Sequence, residues 1–215
     1  MSSAFSLVVF DVGSVLVEAG RTLADDIAIA GFSVEPEWLA QFEERLRDLP
    51  RPYLGAIRIA DYASHFAQLS EGRFSAEDAL RIATDGFVRE CAGIATVFDA
   101  FDAAGIEQAL LSNVHDGEWA KLFPDDGSVS AFPNVGRVMH RFASHLIGAR
   151  KPDARIYAHL EREMRRAGHE IIFFDDREEN VEAARDRGWT AELIDHRADT
   201  AAQLLQWLRR YEVIA

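Results

Sequence analysis

The apolar positions of the chain fall into two rhythms. Phe5-Ser6-Leu7-Val8-Val9-Phe10 is a β-prone run that stops at Asp11. Four similar runs follow: Gln108-Ala109-Leu110-Leu111, a weak one from Met139 to Ala143, Glu170-Ile171-Ile172-Phe173-Phe174, and Thr190-Ala191-Glu192-Leu193-Ile194. Between them the spacing is helical. Ile156, Leu160 and Met164 recur at i, i+4, i+8, with Gly168 as a stop, and Leu204, Leu208 and Tyr211 mark a C-terminal helix. Strands alternating with helices predict an α/β fold with a Rossmann-like parallel sheet of five or more strands and right-handed crossovers.

From residue 18 to residue 93 the rhythm is helical throughout and predicts no strand. Leu39, Phe42, Leu46 and Leu49 line one face, Pro36 suits a first turn, and Pro50-Arg51-Pro52 breaks the helix. Ser75-Ala76-Glu77-Asp78 has the form of a capping box, after which Leu80, Ala83 and Phe87 continue a stripe. The expected organisation is a core of residues 1–17 and 94–215 with a helical unit, 18–93, inserted after the first strand. The loop from Pro124 to Gly136, rich in Asp, Gly, Ser and Pro, is the one long irregular piece.

Composition narrows the partners. A chain of 215 residues, 48% of them hydrophobic, buries a core without staples. Its formal net charge of −13 repels nucleic acid and anionic lipid. A small phosphorylated substrate remains open, because a metal ion or one lysine reverses the sign locally. The single cysteine, Cys91, excludes an internal disulfide and reads as a small hydrophobe on a helix face. No signal peptide precedes the first strand and no apolar run reaches membrane length, so a cytoplasmic monomer or homodimer is expected.

The chemistry lies at strand ends. Asp11 ends the first strand, Ser112-Asn113 end the second, and Asp175-Asp176 end the most apolar one. Parallel strands bring these ends to one edge, where open α/β sheets bind ligands. Arg150-Lys151-Pro152-Asp153 opens a helix and adds a cation. Three clustered carboxylates repel one another, and a hard divalent ion such as Mg²⁺ resolves the repulsion. A carboxylate beside a metal-held phosphate can serve as a nucleophile.

These four elements resemble, in order and spacing, the motifs of the haloacid dehalogenase superfamily. The residues are Phe10-Asp11-Val12-Gly13-Ser14-Val15-Leu16, Leu111-Ser112-Asn113, Arg150-Lys151-Pro152 and Phe173-Phe174-Asp175-Asp176-Arg177-Glu178-Glu179-Asn180. The insert resembles the helical cap of subfamily I. The last two motifs are most similar to a branch that includes sugar-phosphate phosphatases and the N-terminal phosphatase domain of soluble epoxide hydrolases. The resemblance implies a Mg²⁺-dependent phosphatase for a small phosphorylated metabolite, a sugar phosphate among the candidates. Asp11 would attack phosphorus. Asp11, the carbonyl of Gly13, Asp175 and Asp176 would surround the metal. Ser112 and the backbone of Asn113 would hold phosphoryl oxygens, and Lys151 would offset charge on both nucleophile and phosphate.

Gly13 departs from the pattern. Most phosphatases of the superfamily have a second aspartate there, which protonates the leaving oxygen and then activates water. Loss of such help costs ~10²–10⁴-fold. The candidates to replace it are His115, Glu18 and a metal-bound water. Two other readings follow from Gly13: a 2-haloacid dehalogenase, against which the acidic pair Asp175-Asp176 argues, and a degenerate member that binds phosphate or a partner without turnover. A phosphate that stalls on Asp11, giving a phosphotransferase or slow switch, is a further one. Asn180 is expected to fix its loop. His140 and His145 do not share a helical face, and Glu161-Arg162-Glu163 with Arg165-Arg166 reads as a solvated face. Arg51, Tyr53 and Arg58 are candidates to face substrate from the insert.

Overall fold

The computed structural model describes residues 5–215. In chain order its strands are β1 (Leu7–Phe10), β2 (Val17–Ala19), β3 (Phe87–Glu90), β4 (Glu107–Ser112), β5 (His140–Ala143), β6 (Ile171–Asp175) and β7 (Thr190–Leu193). Its helices are α1 (Leu23–Ile29), α2 (Pro36–Leu46), α3 (Ile59–Leu69), α4 (Ala76–Thr84), α5 (Ile94–Ala104), α6 (Asp116–Leu122), α7 (Ser144–Ile147), α8 (Ala154–Met164), α9 (Glu178–Arg185) and α10 (Thr200–Arg210). All five expected β runs are strands of one sheet. The order is β5-β4-β1-β6-β7, and every pair is parallel.

The sheet is buried on both faces, which explains the continuous apolar runs. Val8, Phe10, Ile172 and Phe174 point into one core with α5 and α10. Leu7, Val9, Ile171 and Phe173 point into the other with α8 and α9. The chain builds outward from β1 to β4 and β5, then returns to the far side of β1 to place β6 and β7. The order reverses between β1 and β6, and at such a switch point the loops diverge and leave a crevice. Asp11 and Asp175-Asp176 flank that point.

Helices α1 to α4 pack around a third core of their own, with Ile27, Phe42, Phe66, Phe74 and Ile82 at its centre. Trp38 stacks on Phe42 with ring centroids 4.6 Å apart. The Ser75–Asp78 capping box forms as expected, each residue bonding the other's backbone N–H. Two expectations for this segment fail. Leu49 lies beyond the end of α2 at Leu46, and Phe87 is not helical. Helix α4 ends at Thr84, and Phe87 begins β3, which pairs antiparallel with β2. Each of these strands is only three or four residues long and partly exposed, and they lie about 70 residues apart in sequence. Neither carries a local β signal strong enough to override the helical stripe. Cys91 likewise lies outside any helix. It follows β3, where its N–H donates to the Leu16 carbonyl at 2.8 Å, and it is buried.

Glu161 is more than a solvated charge. Its carboxylate accepts from Arg187 Nε at 3.0 Å and from Trp189 Nε1 at 2.8 Å, tying α8 to the turn before β7. Among the described residues, no helix is long and apolar enough to cross a membrane.

Candidate active site

Asp11 follows the last residue of β1, and its N–H donates to the Phe174 carbonyl at 2.9 Å. That bond holds the ends of β1 and β6 together. Lys151, itself fully buried, reaches this point from the turn before α8. Its Nζ lies 2.8 Å from Asp11 Oδ1 and 2.6 Å from Asp175 Oδ2. Burial works against the ammonium, but the two carboxylates outweigh it and raise the Lys151 pKa. Asp11 is pushed up to about 6 by burial, with Lys151 opposing and Asp175 and Asp176 adding to the rise.

Asp175 has little freedom left. Oδ1 accepts from the Arg177 N–H at 2.9 Å and from Asn180 Nδ2 at 3.0 Å, and Oδ2 accepts from Lys151. Asn180 is held in turn, since its carbonyl accepts from Tyr157 Oη at 2.9 Å. Asn180 therefore fixes its loop, as expected. The Asn113 side chain does similar work. It accepts from the Lys151 N–H at 2.8 Å and donates to the Lys151 carbonyl at 2.9 Å, leaving only its backbone for a ligand. Asp176 pairs with Arg21 at 3.0 Å, and burial raises its carboxyl pKa.

Asp11, Asp175 and Asp176 each place a carboxylate oxygen within 4.8 Å of the other two. The Gly13 carbonyl accepts no hydrogen bond among the described residues. An all-oxygen donor set of this kind fits a hard cation such as Mg²⁺. The fit is uneven, because Asp175 is already saturated while Asp11 and Asp176 keep free oxygens.

Asp11, Gly13, Lys151 and Asp176 line one end of a cavity of about 650 Å³, which Asp175, fully buried behind them, does not reach. Ser112, buried at the end of β4, lines the same end. The helical insert supplies the opposite wall, where Leu23, Leu46, Leu49, Tyr62, Phe66 and Ile82 are apolar or aromatic. Arg51 and Tyr53 line the cavity, as expected of them. Arg58 does not, and instead pairs with Asp61 in solvent.

The replacements expected for a second aspartate fare poorly. His115 caps α6: its Nδ1 accepts from the N–H groups of Gly117 and Glu118 at 3.2 and 3.3 Å. Its Nε2–H donates to the Ala83 carbonyl at 2.9 Å. Both nitrogens are spent, and burial lowers its pKa to about 4. Glu18 pairs with Arg89 at 2.8 Å, outside the cavity lining. Among the cavity residues that the sequence did not single out are Arg21, Asp26 and Glu118. Arg21 and Asp26 sit in the insert outside any motif. Glu118 stands three residues after His115, and that capping spacing was the only available signal.

A parallel α/β sheet with a lysine-bridged acid cluster at its switch point and a roofed cavity above it defines a hydrolase-type site. The family model for haloacid dehalogenase-like hydrolases matches residues 5–188, and the chain belongs to that family. It is 25% identical over 209 residues, 96% of its length and 98% of the relative's, to the sesquiterpene phosphatase astK of Aspergillus oryzae. The fold is similar to the HAD family enzyme BT-2542 of Bacteroides thetaiotaomicron, with a TM-score of 0.74 and 16% identity over 93% of this chain and 98% of that one. The latter enzyme has also been solved with magnesium and inorganic phosphate. A 2-haloacid dehalogenase from Pseudomonas syringae is similar at a TM-score of 0.61, with 16% identity over 96% and 99% of the two chains.

Proposed function

We propose that this hydrolase is a Mg²⁺-dependent phosphatase acting on the phosphomonoester of a small, largely apolar alcohol. The observation that carries the reading is Lys151 Nζ bridging Asp11 and Asp175 at one end of a cavity that the insert lines in part with Leu23, Leu46, Leu49, Tyr62, Phe66 and Ile82. Asp11 is the nucleophile, held by its N–H and by Lys151 facing the space where phosphorus would lie. Ser112 and the backbone N–H of Asn113 bind phosphoryl oxygens. Lys151 balances the charge of nucleophile and phosphate, a role in which preorganised electrostatics carries most of the rate. Asp11, Asp176 and the Gly13 carbonyl would hold Mg²⁺, with Asp175 keeping Lys151 and the loop in place. The ion, when bound, neutralises charge on the transferring phosphoryl group.

Residues 1–17 and 94–215 form the catalytic core and 18–93 the cap, which excludes water and receives the leaving group. A cavity of this volume exceeds what phosphate needs and suits a drug-sized ester. The apolar and aromatic part of its lining, Leu23, Leu46, Leu49, Tyr62, Phe66 and Ile82, offers a hydrocarbon-rich alcohol a surface that the sugar phosphate expected from motif similarity does not need, although Glu43, Arg47 and Arg51 line the cavity as well. The relative named for a sesquiterpene points the same way. The acidic pair at the end of β6 weighs against the dehalogenase reading, although dehalogenases share the fold.

Phosphate release from prenyl, long-chain alkyl and sugar monophosphates, with Mg²⁺ and with a chelator, tests the proposal. We expect turnover of the apolar esters, loss in the chelator and loss in Asp11→Asn. Halide release from 2-haloacids in the chelator, or equal turnover by Asp11→Asn, would overturn it.

A further inference from the structure

Gly13 leaves the cavity without a side chain to move the proton that an alcohol leaving group needs, and the acids around the cavity can be sorted by what already holds them. Asp11 is bound to Lys151 and Asp176 to Arg21. Glu118 accepts from the His115 N–H at 3.2 Å as part of the α6 cap. Glu43 is exposed. Asp26 alone is half-buried with neither hydrogen bond nor ion pair to its carboxylate among the described residues.

Its position is prepared by two glycines. Gly20, just after β2, and Gly86, just before β3, face each other, and the Gly20 N–H donates to the Gly86 carbonyl at 3.0 Å. Asp26 Oδ1 occupies the notch left by their missing side chains. A Cβ on Gly20 would collide with that oxygen, and one on Gly86 would lie 2.9 Å from it. The same ribbon begins at the turn carrying Gly13, which bridges to Val17. A carboxylate from the first turn of α1 is thus lodged against the ribbon at the base of the insert, on the cavity that Asp11 also lines.

We propose that Asp26 performs the proton transfers for which Gly13 has no side chain. The inference rests on the phosphatase reading. In the first step an Asp11 oxygen bonds to phosphorus, the bond from phosphorus to the ester oxygen breaks, and that oxygen takes the proton of the Asp26 carboxylic acid and leaves as the alcohol. In the second step water attacks the aspartyl phosphate and gives its proton to the Asp26 carboxylate. The bond from phosphorus to Asp11 breaks, releasing inorganic phosphate and restoring both residues. Burial, with the neighbouring Asp25 charge adding to it, pushes Asp26 up to about 6, which keeps both protonation states within reach near neutrality.

The test compares an alkyl monophosphate, whose alcohol must be protonated, with p-nitrophenyl phosphate, whose leaving group departs as an anion. Asp26→Asn should lower kcat for the alkyl ester ~10²–10⁴-fold and the first step with the aryl ester less than ~10-fold. Rapid-mixing measurements on the aryl ester should show a burst of p-nitrophenolate ahead of phosphate as the aspartyl phosphate accumulates in the variant. Gly20→Ala, which keeps the carboxylate but fills its notch, should reproduce the leaving-group dependence, with far-ultraviolet circular dichroism reporting the fold of both variants. Equal slowing of the first step on both esters, or no slowing of either step on either ester, in a folded Asp26→Asn overturns the assignment. So does the leaving-group pattern appearing in Glu118→Gln and not in Asp26→Asn. If the wild type hydrolyses neither ester, the phosphatase reading itself fails; if it hydrolyses both and Asp26→Asn is unaltered, only the assignment to Asp26 fails.

Discussion

The two walls of the cavity are built on opposite principles. At the strand ends almost every polar atom is spoken for: Asp175 alone accepts from Lys151, Asn180 and the Arg177 N–H, and Asn113 grips the Lys151 backbone from both sides. The wall made by the insert mixes apolar and aromatic side chains with Arg21, Asp26, Glu43, Arg47 and Arg51, and it is carried by packing around Phe42, Phe66 and Ile82. Hydrogen bonds and ion pairs fix positions to a few tenths of an ångström, as nucleophile and metal ligands require. Packing fixes volume and polarity, and those suffice to choose a leaving group.

The sharpest break of this contrast is at Asp11. Asp11→Asn should reduce phosphate release by ~10⁴-fold or more while leaving the thermal midpoint little changed or raised, because a raised carboxyl is relieved of its charge. Next comes Asp175→Ala. It leaves Lys151 buried with one carboxylate instead of two, and chemical denaturation should show a loss of ~3–5 kcal/mol.

The third prediction concerns pH. Burial pushes Glu118 up to about 8 from an ordinary 4.5, so the folded chain holds this proton more tightly than the unfolded one. Its contribution is complete at low pH and is lost as pH rises towards 8. Above pH 6, where the rises of Asp11 and Asp26 are over, stability should fall by ~2–3 kcal/mol by pH 8 in the presence of a chelator. Glu118→Gln should flatten that slope in urea titrations.

Smaller effects belong to the selecting wall. Tyr62→Ala should raise KM for an apolar ester ~10-fold and leave that for a short-chain ester unchanged. The smallest is His115→Ala, which removes the α6 cap and should cost ~1 kcal/mol of stability. Its turnover of p-nitrophenyl phosphate should stay within a few-fold of wild type, as befits a histidine with both nitrogens engaged.

The sheet was legible because each of its strands is a buried run bounded by turns, and because alternation with helices leaves few topologies. The acid cluster was legible for a related reason: parallel strands must bring their ends to one edge. The β2–β3 ribbon was not, since its partners are far apart in sequence and each is too short to announce itself. Asp26 and Arg21 were hidden in a segment whose helical rhythm says only that it packs. Nothing local to Asp26 distinguishes it from Asp25 beside it. One caps α1 in solvent, the other enters a notch cut by two distant glycines.

What the sequence determined by itself was therefore the class of fold, the family resemblance, and the charged groups that meet at the strand ends. Those follow from residue type, local order and the geometry of parallel strands. The tertiary structure alone decided which groups are free. It spent His115 on a helix cap and the Ala83 carbonyl, Glu18 on Arg89 and Asp175 on Lys151 and Asn180, and it left Asp26 unpaired beside the cavity. Whether a side chain is occupied depends on its partners, and partners such as Ala83 for His115 or Arg89 for Glu18 come from other elements and are settled by packing, not by the neighbours a residue has in the chain.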